Sequence, residues 1–172
     1  MTIDDYLPHL KDTKTKFLFA NKAKNGAVYT PFLEKIWAKV NGNYEIVEGE
    51  FGGSPTEGIS FLTNVPAKYY KISDVSGINN NPESAWKVIK EADEKHYIIT
   101  CSTGSGADTT RNVYGLANGH AYTIIGAHEI RDANNNLLHQ LYKIRNPWGI
   151  DGDYNGPFRD SDPFWEQNPL YA

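Results

Sequence analysis

His120 and Asn146 are the two side chains in this sequence whose types and spacing could do chemistry together. An imidazole held at one ring nitrogen by an amide oxygen keeps its other nitrogen free to take a proton, which is what a cysteine or serine nucleophile requires of its base. The stretch between them reads as two β-rich runs, His120 to Ile130 and Leu137 to Arg145. They are joined by Arg131-Asp132-Ala133-Asn134-Asn135-Asn136, a cluster suited to reversing the chain. An uninterrupted antiparallel register centred on Ala133 places His120 opposite Asn146, with Tyr122 and Ile124 on the face shared by Ile144 and Tyr142. Trp148, two residues beyond Asn146, would cover such a hydrogen bond from water. A histidine and an asparagine across a hairpin are structural more often than catalytic, so spacing alone leaves both roles open.

The other reactive side chains offer less. Cys101 sits in Ile98-Ile99-Thr100-Cys101-Ser102, a strand-like apolar run, and reads as a buried small residue with a raised pKa rather than an activated thiolate. His9, His96, His128 and His139 form no metal-ligand spacing. His128 and His139 would face each other near the hairpin turn, but two histidines without a third ligand do not make a zinc site.

Around the candidate pair, the periodicity changes from helical to strand-like along the chain. Thr30 to Val40 predicts a helix with Thr30 as N-cap, Pro31 at its first position and Asn41-Gly42 as its stop, burying a stripe of Phe32, Leu33, Ile36, Trp37 and Val40. Glu48 to Asn64 reads as loop, and Tyr69-Tyr70-Lys71-Ile72 as a short strand. Asn81 and Pro82 open a second helix that runs to about Lys95, with Ala85, Ile89 and Ala92 at helical spacing. Tyr97 to Ser102 is a strand, Thr103 to Asn118 a Gly/Ser/Asn-rich loop, and an antiparallel sheet follows. The tail from Pro147 carries Trp148, Tyr154, Phe158 and Trp165 among turn-forming residues.

Composition bounds the partners. With 172 residues, 40% hydrophobic and 22% charged, the chain can bury a core, and a net charge of −4 without a basic cluster excludes a nucleic-acid footprint. One cysteine allows no internal disulfide and fits a reducing, cytoplasmic setting. The first ten residues lack the basic start and apolar run of a signal peptide, and no stretch is long enough to span a bilayer, so no membrane association is expected. Nothing in the sequence sets the oligomeric state.

Paired motifs carry a resemblance to a family. Gly119-His120-Ala121-Tyr122, then a strand, a polar turn and Arg145-Asn146-Pro147-Trp148-Gly149, is similar to the GHAY and RNPWG signatures of the calpain catalytic core. Ile3-Asp4-Asp5-Tyr6-Leu7-Pro8, Phe17-Leu18-Phe19 and the run from Leu33 to Glu45 resemble the calpain pattern IDDxLP followed by LEKAYAKLNGxYE, so the resemblance covers nearly the whole chain. It implies an α+β fold: a partial papain-like cysteine protease core with a short helical first part and an antiparallel β-sandwich or barrel-like lobe. Residues 1–75 would be the C-terminal part of the first catalytic lobe and 76–172 most of the second.

Carried over residue by residue, the resemblance makes His120 the general base, Asn146 its orienting partner and Trp148 the tryptophan beside the active site. In calpains the QGxxGDCW motif, with the nucleophilic Cys and the oxyanion-hole Gln, precedes the IDDxLP run. This sequence starts at that run, with no Cys before Cys101 and no Gln before Gln140. The resemblance therefore implies a fragment of a calcium-dependent endopeptidase core, inactive alone and acting on peptides only when a Cys-bearing lobe completes it. The alternative is a non-catalytic binding or regulatory module of the same fold. The resemblance also implies a second-lobe calcium loop to which Asp153 and Asp160 would give carboxylates, as an incomplete site. The face bearing His120 and Trp148 is expected either to be exposed and prone to association or to be covered by the tail and the Gly-rich loop.

Overall fold

A proline following a residue that can accept a backbone N–H opens a helix at Ser54-Pro55, Asn81-Pro82 and Asp162-Pro163. The computed structural model describes residues 2–13, 16–48, 53–74, 77–149 and 154–171. In chain order its elements are α1 (Tyr29–Val40), α2 (Tyr44–Glu48), α3 (Pro55–Thr63), α4 (Pro82–Glu94), β1 (Ile99–Ser102), β2 (Ala121–Arg131), β3 (Leu137–Arg145) and α5 (Pro163–Gln167). Helices and one antiparallel sheet make this an α+β chain, consistent with a partial papain-like core. It divides into two compact units, Met1–Tyr69 and Tyr70–Ala172.

The first unit is helical. Its N-terminal run is pinned to α1 by Lys35, whose ammonium pairs with the Asp4 carboxylate and donates to the Tyr6 carbonyl at 2.5 Å. Helix α1 ends at Asn41 as expected but begins at Tyr29, so Thr30 is inside the helix, and Val28 in the N-cap position makes no side-chain bond. The expected apolar stripe is only partly covered: Pro31 and Ala38 are its buried residues, while Leu33 and Val40 are exposed. Trp37, Leu33, Phe61 and Leu62 line a shallow groove of about 260 Å³. Part of the predicted loop between Glu48 and Asn64 is in fact α3. Pro55 occupies its first turn, Glu57 Oε2 accepts from Ser54 N at 3.4 Å, and Asn64 closes it in the left-handed region at φ 55°.

The second unit holds the sheet. Asn81 caps α4 by accepting from Glu83 N at 2.9 Å, as the sequence predicts. Trp86, absent from the predicted helical repeat, is the helix's buried anchor and stacks on Tyr142 of β3 at 5.3 Å between centroids. The expected strand at Tyr69–Ile72 does not form. Among the described residues no strand pairs with it, and the chain turns instead, with Asp74 N donating to Lys71 O at 3.0 Å.

Strand order is β1-β2-β3, all antiparallel. The turn is as predicted: Asp132 Oδ1 accepts from Asn134 N at 2.9 Å and Asn136 N at 2.8 Å, with Asn135 at φ 67°. The register, however, is not centred on Ala133. Shifts between Ile124 and Gly126 and between Ile130 and Arg131 slide the strands, so that Thr123 pairs with Arg145 and Ile124 with Ile144, where Tyr142 was expected opposite Ile124. Helix α4 grips the first irregularity: Lys90 Nζ donates to Ala127 O at 3.2 Å and Asp93 Oδ2 accepts from Ala127 N at 3.2 Å. His128 and His139 do not face each other. His128 pairs with Leu141, and His139 packs on Phe158 at 4.9 Å. Beneath the sheet the core is Ile78, Trp86, Ala117, Tyr122, Ile124, Ala127 and Ile130, the last only 1% exposed.

Candidate functional site

Main-chain pairing places His120 independently of its side-chain contacts. The residue lies one position ahead of β2, and Thr103, one beyond β1, extends the ladder to it. Thr103 N donates to His120 O at 3.0 Å, and His120 N donates to Thr103 Oγ1 at 3.0 Å. Gly119 N donates to Gly104 O at 2.7 Å. Gly119 has φ +54°, and a Cβ added there would lie under 3.0 Å from the Gly106 carbonyl oxygen and 3.2 Å from its carbon. Two main chains touch at this point, which requires glycine.

Asn146 is positioned from the other end of the hairpin, one residue past β3. Gly149 N donates to Asn146 O at 3.2 Å, closing a turn with Asn146 first and Pro147 second, the places those residue types favour. Within that turn Asn146 Oδ1 accepts from Trp148 N at 3.1 Å. The same oxygen is 3.0 Å from His120 Nε2. Because Trp148 N can only donate, the amide must present its oxygen there, and His120 Nε2 must then carry the proton. The imidazole is held as the Nε2–H tautomer. Among the described residues Nδ1 has no hydrogen-bond partner, so its lone pair is open to accept a proton.

Two rings confine the imidazole. Tyr122 meets it edge to face, 4.8 Å between centroids at 89°, and its hydroxyl accepts from Ala117 N at 2.9 Å in the buried end of the Gly-rich loop. The Trp148 ring lies 4.3 Å away at 42° and stays 40% exposed. Arg111, on the opposite limb of the loop and bridged to Ala117, lies over the Trp148 ring at 5.0 Å. The Gly-rich loop thus partly covers the tryptophan.

His120, Asn146 and Trp148 therefore come together, although not through the predicted register. The shifted strands carry Asn146 beyond the ladder, and the turn folds its side chain back toward the histidine. Asp160 lies apart and exposed in the turn before α5, while Asp153 lies outside the described residues. Among the described residues no three His, Cys, Asp or Glu side chains gather to hold a metal. Cys101 is half-buried in β1 opposite Tyr122, and burial pushes its thiol pKa up, the reverse of what a nucleophile needs. Arg111, Thr103 and the Gly106–Gly119 contact were not singled out in the sequence. Gly119 beside a histidine was a legible signal, whereas an arginine in a loop carries none.

Comparison with known proteins places this geometry in context. Residues 1–169 match the domain described as calpain family cysteine protease. The chain is 31% identical over 173 residues to calpain-9 of Mus musculus, covering 99% of this chain and 23% of that protein. It is 34% identical over 168 residues to the calpain-2 catalytic subunits of Mus musculus and Homo sapiens, covering 96% of this chain and 22% of each. The chain thus spans less than a quarter of the length of these relatives.

Proposed function

Because this chain belongs to the calpain family of cysteine proteases, we propose that it supplies the general base and its orienting amide, His120 and Asn146, to a peptide-hydrolysing site. The attacking thiol and the oxyanion donors come from a polypeptide segment outside these 172 residues. The observation that carries the reading is the single Asn146 oxygen that accepts from both Trp148 N and His120 Nε2. That arrangement fixes the tautomer, leaving Nδ1 as the proton acceptor.

The chemistry follows from that tautomer. Nδ1 takes the thiol proton, and the imidazolium so formed keeps its Nε2–H on the amide oxygen. The thiolate bonds to the peptide carbonyl carbon. As the C–N bond breaks, Nδ1–H passes its proton to the leaving amine. Water, deprotonated by the same Nδ1, then bonds to the acyl carbon; the C–S bond breaks, the acyl group leaves as a carboxylic acid and the sulfur takes back the proton from Nδ1. Trp148 covers one side of this bond and keeps water from competing for the Asn146 oxygen.

Under this reading residues 1–75 belong to the end of a first catalytic lobe and 76–172 to most of a second, and the division after Tyr69 supports it. A single free thiol suits a cytoplasmic setting. Among the described residues no helix is long and apolar enough to cross a membrane. Asp160 and Asp153 are the carboxylates a calcium loop would use, but the described residues do not assemble such a site, and no step above runs through calcium. The test is peptide hydrolysis with and without calcium, by the chain alone and after mixing with a Cys-bearing calpain first-lobe fragment. Activity only in the mixture, lost in His120→Ala, is the expected result. Saturable binding of the two chains without any turnover would favour the non-catalytic binding module instead.

A further inference from the structure

The Gly-rich loop between β1 and β2 contributes more to this site than its backbone. Its two limbs are tied at the Arg111–Ala117 bridge, and the loop is anchored at its base by Thr103 Oγ1, which donates to Ala117 O at 2.7 Å, and by Ala117 N on the Tyr122 hydroxyl. From that frame Arg111 extends over the Trp148 ring, its guanidinium carbon 5.0 Å from the ring centroid. Its Nη1 donates to Asp108 O at 2.7 Å and Thr110 O at 3.3 Å, which fixes the fork rather than leaving it to swing. The indole beneath it is the ring that lies 4.3 Å from His120.

We propose that Arg111 is a positioning residue of this site: by stacking on Trp148 it holds the indole against the His120 ring and so shields the His120–Asn146 hydrogen bond from water. The inference rests on the reading of His120 and Asn146 given above. The physical need for a clamp is clear from exposure. Trp148 is 40% exposed and follows Asn146-Pro147 in a turn outside the sheet, so burial alone does not hold its ring. A guanidinium is suited to the task because its flat, weakly hydrated face stacks on an indole while its edge hydrogens remain free to bond the loop carbonyls. A lysine could supply the charge and one of those bonds but no flat face.

The two functions of Arg111 are separable by experiment. Loop order is read from the backbone amides of residues 104–119. The clamp is read from the His120 ring protons, which sense the Trp148 ring current, and from exchange of the Nε2 proton with water. These signals are followed by NMR on the full chain, so no completed protease is needed. In Arg111→Leu the ring protons are expected to move toward their positions in Trp148→Ala, and Nε2–H exchange to accelerate several-fold. Should the leucine variant fold poorly, Arg111→Lys preserves the charge and a loop bond, and the His120 signals are expected to move the same way by a smaller amount. Unchanged His120 signals in the folded Arg111 variants, beside a clear change in Trp148→Ala, would overturn the proposal and leave the His–Asn reading standing. An imidazole nitrogen pattern in Asn146→Ala identical to the native one would bring down that reading, and the role of Arg111 with it.

Discussion

Replacing Gly119 by alanine tests whether His120 is held by its main chain. Two separate costs meet at that position. The first is conformational: at φ +54° an L side chain costs roughly 1–2 kcal/mol. The second is steric, because the new Cβ would press on the Gly106 carbonyl and the backbone of one strand-flanking segment would have to retreat. That retreat would break the Gly119–Gly104 hydrogen bond, worth about 0.5–1.5 kcal/mol, and strain the paired bonds between Thr103 and His120. Together they predict a loss of about 2–4 kcal/mol, or a fall in Tm of roughly 5–15 °C for a chain of this size. Gly149→Ala is the control, since Gly149 has φ +68° with nothing within 4 Å of an added Cβ. It should show the conformational cost alone, about 1–2 kcal/mol. Thermal unfolding of both variants, with the Thr103 and His120 amides followed by NMR, separates the two costs. Equal losses in Gly119→Ala and Gly149→Ala, with those amides unmoved, would refute the idea that close main-chain contact fixes the histidine.

Three further outcomes are expected. Asn146→Ala removes one acceptor from two part-exposed donors, so stability should fall by about 1–2 kcal/mol in urea unfolding, and the imidazole Nε2 shift should move and its proton exchange faster with water as that N–H loses its partner. Burial raises the Cys101 pKa, which lowers its thiolate fraction near neutral pH. Labelling by a disulfide reagent should therefore be slower in the folded than in the unfolded protein, and the gap should narrow as pH rises past the folded value. Glu34 is half-buried and its pKa is raised by burial, although its Oε2 accepts from Ala20 N at 3.0 Å. The folded state thus favours its protonated form, and the stability this gives is complete in acid and lost as pH rises through the raised value. Glu34→Gln should raise the melting temperature near pH 7 and leave it nearly unchanged at about pH 4.

The parts of the fold that the sequence disclosed are those governed by short-range chemistry. Asn81-Pro82 announced α4, the polar run after Arg131 announced the hairpin turn, and Leu137 to Arg145 matched β3 at both ends. Tertiary effects were harder to see. Ser, Gly and Thr made α3 look like loop, although Ser54-Pro55-Thr56-Glu57 spelled a helix start. Tyr69-Tyr70-Lys71-Ile72 had strand-like residues but, among the described residues, no strand to pair with. At the site, the meeting of His120 and Asn146 was legible and its route was not. The predicted register ignored Gly126, whose presence within a strand was a signal of irregular pairing, and the turn at Asn146-Pro147 supplies what the ladder does not. Arg111 could not be found without knowing where the loop folds.

The uneven core has a consequence for how the chain opens. Among the described residues the first unit buries only Pro31 and Ala38, while the second has Trp86, Tyr122, Ile124, Ile130 and three others beneath its sheet. Amide hydrogen exchange should therefore grade the molecule, with protons along β2 released only by global unfolding and those of α1 and α3 released through cheaper partial openings. The unit that keeps the histidine and asparagine in register is the slow-exchanging one. The His120–Asn146 hydrogen bond should thus persist through excursions that unravel the helices earlier in the chain.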